Sequence, residues 1–335
     1  MLSRVANSLY WLSRYLERAE NLARLVEVNR YDSLDSRVFP TGHNGPEHIW
    51  QPLLYATCQE SSYAQASRQN PELDVLWFIT FSHENNDSIR QCVAHARENA
   101  RMVRDQISEE IWRELNRFHL FIGSRKAVQQ WQDHPQSLYR KIVESCLLLS
   151  GLINATILHD EGWHFIQVGK FLERADKTTR VLDMLAYQGN PHRTKLASAL
   201  KSCSAFNAFQ AQYRSGITLE NTMRFLLFSR SFPRSVRFCI HQLNEQLHAI
   251  SGTPVGSYKN EAERLTGHSL AQLNFSNIDS VLQAGCHPYI DALQSQFNDI
   301  GQQVFEAYIL LPQKIRNLRP EELQSLQRQQ QQQQQ

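Results

Sequence analysis

Glutamate and arginine recur in this chain at one spacing, in two places. Tyr15-Leu16-Glu17-Arg18-Ala19-Glu20, followed by Arg24, returns 156 residues later as Phe171-Leu172-Glu173-Arg174-Ala175-Asp176, followed by Arg180. Arg14 and Lys170 stand at the same distance ahead of the two motifs. Glu17 and Arg24, two turns apart, share a helical face, and Glu20–Arg24 and Asp176–Arg180 are i,i+4 pairs of favourable orientation. Three kinds of chemistry use such a set. The groups can form solvated ion pairs on an exposed face, each contributing about 0.3–0.5 kcal/mol. They can build a buried network that specifies how two helices pair, through two-pronged arginine–carboxylate bonds of small net stabilisation. Or they can line an interhelical cleft, where arginine binds the carboxylate of a peptide or amino acid and glutamate acts as acid or base. A solvated face has little physical reason to keep both residue type and spacing, but the residues alone leave all three open.

The helices that must carry these groups are legible. At 100° per residue, Leu9, Trp11, Leu12, Tyr15, Leu16, Ala19, Leu22, Ala23 and Val26 fall on one arc, with Arg14, Glu17, Arg18, Glu20, Asn21 and Arg24 opposite. This predicts an amphipathic helix over 9–28. The segment 163–185 repeats it, with Lys170, Glu173, Arg174, Asp176, Lys177 and Arg180 at the same angles. Further helices are expected around 48–68, 72–84, 86–108, 109–118, 124–132, 137–158, 194–212, 217–230, 233–251, 259–265 and 278–311. Strand signals are almost absent. Loops are expected at 39–46, 188–191 and 251–256.

A second block repeats without a gap: Phe78, Phe81, Ser82, Ser88, Ile89, Arg90, Cys92 and Val93 become Phe225, Phe228, Ser229, Ser235, Val236, Arg237, Cys239 and Ile240. Two matches in register predict a tandem duplication with a unit of about 150 residues. The expected fold is all-α, an internally duplicated pseudo-symmetric helical bundle. Its halves would be 1–158 and 159–312, packed as one body, with a disordered tail over 313–335 that is polyglutamine from 327. Phe78–Phe81 and Phe225–Phe228 are expected in the core. Their neighbours Arg90 and Arg237 are secondary candidates to extend the polar network. Pro233 stands where the first copy has Asn86, and a helix is expected to start at both places.

Composition narrows the function classes. With 41% hydrophobic residues there is material for a core, and a net charge of +2 gives no long-range field to draw nucleic acid. Arg214, Arg224, Arg230, Arg234 and Arg237 could still form a local patch. The six scattered cysteines have no metal or redox spacing and read as small buried hydrophobes in a reducing compartment. No secretory leader is legible, and the longest apolar stretch, 146–158, is too short to span a bilayer. No phosphate-cradling or nucleophile-elbow motif occurs, so no cofactor is expected. Two Glu-x-x-His spacings, Glu161/His164 and Glu245/His248, do not sit at equivalent repeat positions, and no metal is expected there. His159-Asp160-Glu161 reads as a helix N-cap.

The opening run Met1-Leu2-Ser3-Arg4-Val5-Ala6-Asn7-Ser8-Leu9-Tyr10-Trp11-Leu12-Ser13-Arg14-Tyr15-Leu16-Glu17-Arg18-Ala19-Glu20-Asn21 closely resembles the bacterial alpha-E family, named for an all-helical domain with a Glu-Arg motif. Gly162-Trp163-His164-Phe165-Ile166-Gln167-Val168-Gly169-Lys170-Phe171-Leu172-Glu173-Arg174-Ala175-Asp176 and Pro233-Arg234-Ser235-Val236 resemble it too. The resemblance covers residues 1–312. Lys170 departs from it: arginine is expected there, and lysine keeps the charge without the planar fork. The resemblance implies genes beside, or fused to, a circularly permuted ATP-grasp ligase-like protein and a transglutaminase-like protease, in a peptide-synthesis or peptide-tagging pathway. It implies no reaction for the alpha-E protein itself. The expected function is a non-catalytic, cytoplasmic accessory or scaffold protein of those two partners. The alternative is an enzyme that binds a peptide or amino acid in a Glu/Arg-lined cleft. Oligomeric state is not legible.

Overall fold

The computed structural model describes residues 1–38, 47–187 and 191–310; side chains at 31–38, 47–49 and 187 fall outside it. The expected loop at 39–46, most of that at 188–191 and the tail over 313–335 lie outside the described residues. The described residues are helical, without strands. In chain order they form α1 (Ser3–Val38), α2 (Glu47–Thr57), α3 (Glu60–Gln69), α4 (Val75–Thr80), α5 (Ile89–Met102), α6 (Glu109–Ile122), α7 (Arg125–Asp133) and α8 (Pro135–Thr156). There follow α9 (Glu161–Tyr187), α10 (Arg193–Ser202), α11 (Phe206–Gln212), α12 (Leu219–Phe228), α13 (Val236–Ser251), α14 (Glu261–Phe275), α15 (Ile278–Ala284), α16 (Cys286–Phe305) and a π-helical turn, Glu306–Leu310.

Two long helices organise the rest. α1 packs along α9, and each has its own flanking set: α5 and α8 against α1, α13 and α16 against α9. α6 joins α5 to α8, as α14 joins α13 to α16. The apolar arc of α1 behaves as expected, with Leu9, Leu12, Leu16, Ala19, Leu22, Ala23 and Val26 buried. The polar arc does not face water: Glu17, Glu20 and Asn21 are buried as well, because α9 lies against it.

One glycine permits that approach. A Cβ at Gly169 would sit 2.3 Å from the Tyr10 carbonyl oxygen and 2.4 Å from Ser13 Oγ, closer than any real contact. Only a residue without a side chain lets the α9 backbone rest on α1 here.

Several boundaries differ from expectation for identifiable reasons. The helix expected over 48–68 is interrupted at Cys58 (φ 56°), and that over 194–212 at Ser204 (φ 53°), both in the left-handed region. The 278–311 segment breaks at Gly285 (φ 96°). The 259–265 helix runs on to Phe275, and the 9–28 helix extends over Ser3–Val38. Pro233 does not begin a helix. It occupies the second position of a turn closed by Ser235 N–H donating to Phe232 O (3.0 Å), where its fixed φ is at home. Ser88 N–H closes the matching turn onto Asn85 O at 3.0 Å. The helices start one residue later, each capped by its serine, whose Oγ accepts from Gln91 N–H or Phe238 N–H (both 3.2 Å). Asp160 caps α9, its Oδ1 accepting from Gly162 and Trp163 N–H.

Candidate functional site

The two Glu-Arg motifs meet across the α1–α9 contact and exchange partners. Arg18 Nε and Nη2 donate to Glu173 Oε1 and Oε2 at 2.7 and 3.2 Å. Arg174 Nε and Nη2 donate to Glu17 Oε1 and Oε2, both at 2.8 Å. Each arginine thus grips the glutamate of the other motif with both prongs, the geometry for which the planar guanidinium suits and an ammonium does not. Glu173 is fully buried and Glu17 is 5% exposed.

Additional cations complete each node. Around Glu173, Arg14 Nε donates to Oε2 at 2.7 Å and Lys177 Nζ lies 3.6 Å from Oε1. Arg14 also donates to the Tyr10 hydroxyl at 2.8 Å and lies over the Trp11 ring. Around Glu17, Arg234 Nη1 donates to Oε1 at 2.9 Å, and its Nη2 reaches Glu20. Arg24 pairs with Glu20 at 2.8 Å, and Arg180 with Asp176 at 3.0 Å. Arg18 also reaches Asp87.

The electrostatics follow from this crowding. Burial pushes the Glu17 carboxyl up, but Arg174 and Arg234 outweigh it and hold the group at about 2. Burial acts on Glu173 in the same sense and is overcome by Arg14, Lys177 and Arg18, which hold it well below the usual carboxylate range. Asp176 is also lowered, burial being overcome by Lys177 and Arg180.

Lys170 is the exception. It stands where Arg14 stands in the first motif, yet its Nζ donates to Ser150 Oγ (3.2 Å) on α8 rather than to Glu17. Burial and the Arg174 charge push its ammonium down to about 8. The carboxylate it leaves unattended is taken by Arg234.

Arg90 and Arg237 do not join this network. Arg237 Nε donates to Asn274 Oδ1 at 2.8 Å on α14, and the Arg90 guanidinium lies beside Gly123 at the C-terminal end of α6. Arg234 and Asp87 join the network without a signal in the sequence: they stand in similar turns before α13 and α5, but an arginine and an aspartate share no identity. The arginines of 214–237 do not make one patch: Arg234 is buried and Arg224 pairs with Glu220 on its own helix.

The space around the network is small. A cavity of about 30 Å³ touches Glu17, Glu20, Cys146, Ser150 and Lys170, and another of about 20 Å³ touches Arg18, Asp87, Gln59 and Lys177. Each is sized for a water molecule rather than an amino acid. The Glu-x-x-His pairs are engaged separately: His164 with Gln246, Glu245 with Gln242, and His248 with Thr253 O. Among the described residues no group of three or more His, Cys, Asp or Glu is placed to hold a metal ion, and no helix is long and apolar enough to cross a membrane. All six cysteines are free; Cys92, Cys146, Cys203 and Cys239 are buried as expected, whereas Cys58 is exposed and Cys286 half-buried.

Comparison with known proteins agrees with the motif. Proteins of Mycobacterium bovis and Mycobacterium tuberculosis, both named as uncharacterized, are 25% identical over 340 residues, and a second from M. tuberculosis is 24% identical. Each alignment covers 92% of this chain but 37% of the relative, so the chain spans little more than a third of their length. No solved structure matches. The Alpha-E family, described as a predicted alpha-helical domain with a conserved ER motif, matches residues 1–309, and the chain belongs to it.

Proposed function

We propose that the chain is a tandem duplication whose halves, 1–158 and 159–312, are locked together by the Glu-Arg network. On this reading it works as a non-catalytic accessory or scaffold subunit. Its partners are a circularly permuted ATP-grasp ligase and a transglutaminase-like protease of a cytoplasmic peptide-synthesis or peptide-tagging pathway.

The duplication is supported by geometry that sequence identity did not include. The turns before α5 and α13 and the left-handed residues Cys58 and Ser204 between short helices correspond. So does the flanking of α1 by α5 and α8, and of α9 by α13 and α16.

The non-catalytic reading rests on one observation: Glu17 and Glu173 are buried, ionised and bonded to arginines on both oxygens. A catalytic acid or base needs a pKa near working pH and reach to a substrate. These groups have neither, and the adjoining cavities are water-sized, which weighs against the cleft enzyme. The greater length of the mycobacterial relatives supports a role beside other modules. The partners themselves are named by family resemblance.

Affinity purification of the chain at native expression, with co-purifying proteins identified by mass spectrometry, tests this reading. A stoichiometric ATP-grasp protein, whose ligase activity falls when this chain is removed, is the expected result. Recovery of the chain alone under gentle conditions would overturn it.

A further inference from the structure

A polar-floored cavity lies away from the Glu-Arg network, between α13, α14 and the 252–260 connection. It measures about 580 Å³, within the range of small-molecule and peptide pockets. At its floor is Asn244, 6% exposed, whose Oδ1 has no hydrogen-bond partner. A buried carbonyl oxygen left unbonded is destabilising by about 1–3 kcal/mol, a cost that a ligand donor would relieve. Gly267, inside α14, opens the wall above it: a Cβ there would lie 3.8 Å from Asn244 Oδ1. Glycine within a helix is itself unfavourable relative to alanine by about 1 kcal/mol.

The rim is apolar and unusually bare. Val255, Tyr258 and Phe275 are 79%, 62% and 89% exposed, and all three line this one cavity. The charged groups nearby are spoken for. Arg264 pairs with Glu261 on its own helix, and Glu263 accepts from Lys259 N–H, Asn260 and Tyr308. No unpaired arginine or lysine lines the pocket to receive a phosphate or carboxylate.

We infer that this pocket binds an extended peptide segment bearing a bulky apolar side chain. A carboxamide offers one acceptor and one donor side by side, and the N–H and C=O of a single extended residue offer the complement. Asn244 pairs with that residue's main chain, and Tyr258, Phe275 and Val255 enclose its side chain. The inference does not depend on the ligase partnership. A chain that purifies alone would still be tested by peptide binding, and a pocket that fails would leave the partnership untouched.

Blocked tripeptides, acetyl-Gly-X-Gly-amide with X as Phe, Leu or Ser, are titrated into the full chain and followed by saturation-transfer NMR and calorimetry. Saturable binding is expected, with Phe and Leu tighter than Ser. Asn244→Leu removes two hydrogen bonds and should weaken binding at least about tenfold, while its melting temperature holds or rises because the orphaned amide is gone. Gly267→Leu, a helix-compatible change that occupies the space above Asn244, should abolish binding. Absence of saturable binding by all three peptides would overturn the inference. So would retention within twofold in both variants, or displacement by adenosine better than by the Phe peptide.

Discussion

Replacing Glu173 with glutamine is the sharpest probe of the network. The carboxylate is fully buried and accepts from Arg14 Nε, Arg18 Nε and Arg18 Nη2, with Lys177 alongside. Glutamine keeps the shape but turns one oxygen into an N–H donor facing an arginine donor, and removes the charge that the cations share. Neutralising one partner of a buried ion pair is destabilising by about 3–5 kcal/mol, because the other charge stays buried without its counter-ion. With an unfolding entropy of about 2.1 cal/mol/K per residue over the helical body, that corresponds to a fall in Tm of about 5–8 °C. Urea denaturation followed by circular dichroism and by tryptophan fluorescence measures it, the coincidence of the two probes testing for a single transition. Glu220→Gln, which breaks the exposed pair with Arg224, is the control, with an expected loss below about 1 kcal/mol. A Glu173→Gln protein within about 1 kcal/mol of the parent would refute the reasoning, since a dry, triply paired carboxylate cannot be silent. An unchanged Tm together with lost pathway activity would favour the cleft enzyme instead.

Acid should unfold the protein through the same groups. Glu17 and Glu173 have depressed folded pKa values, so their stabilisation is present above pH ~4.5 and is lost as pH falls through those lowered values, about 2 for Glu17. For Glu17, moving from 4.5 to about 2 represents about 3 kcal/mol; a Glu17→Gln variant whose urea midpoints track the parent in parallel from pH 5 to pH 3 would sink this. Lys170 titrates with the opposite consequence: its folded pKa is lowered to about 8, so the folded state binds fewer protons and stability rises between pH 8 and the ordinary lysine range. Lys170→Met should erase that rise and match or exceed the parent's stability at pH 7, and a clear loss at pH 7 would count against it. Gly169→Ala is decided by its sign. Helix propensity alone would favour alanine by about 1 kcal/mol, whereas the 2.3 Å approach to Tyr10 O predicts a loss of about 3 kcal/mol or more. Stabilisation in denaturant would show that α1 and α9 do not meet there.

Much of the fold could be read from residue patterns because helices announce themselves locally. The all-α class, the long helices around both motifs, the loop at 251–256 and the Asp160 cap all follow from periodicity and turn chemistry within a few residues. The breaks at Cys58 and Ser204 could not be read, because neither residue type signals a left-handed backbone. Pro233 was legible as a boundary but not as a turn, since both roles use the same φ.

The site divides along the same line. By itself the sequence determined that glutamate and arginine recur at one spacing and share a helical face, because side-chain angle follows directly from residue number in a helix. It could not determine which face of α1 meets water, because an amphipathic pattern assigns a polar arc to solvent unless another helix covers it. Only the tertiary structure decided that α9 does so. It also made Gly169 the contact point, crossed each arginine to the other motif's glutamate, and brought Arg234 and Asp87 in from distant turns. Those outcomes depend on the distance and orientation between helices far apart in the chain, and no local spacing encodes them.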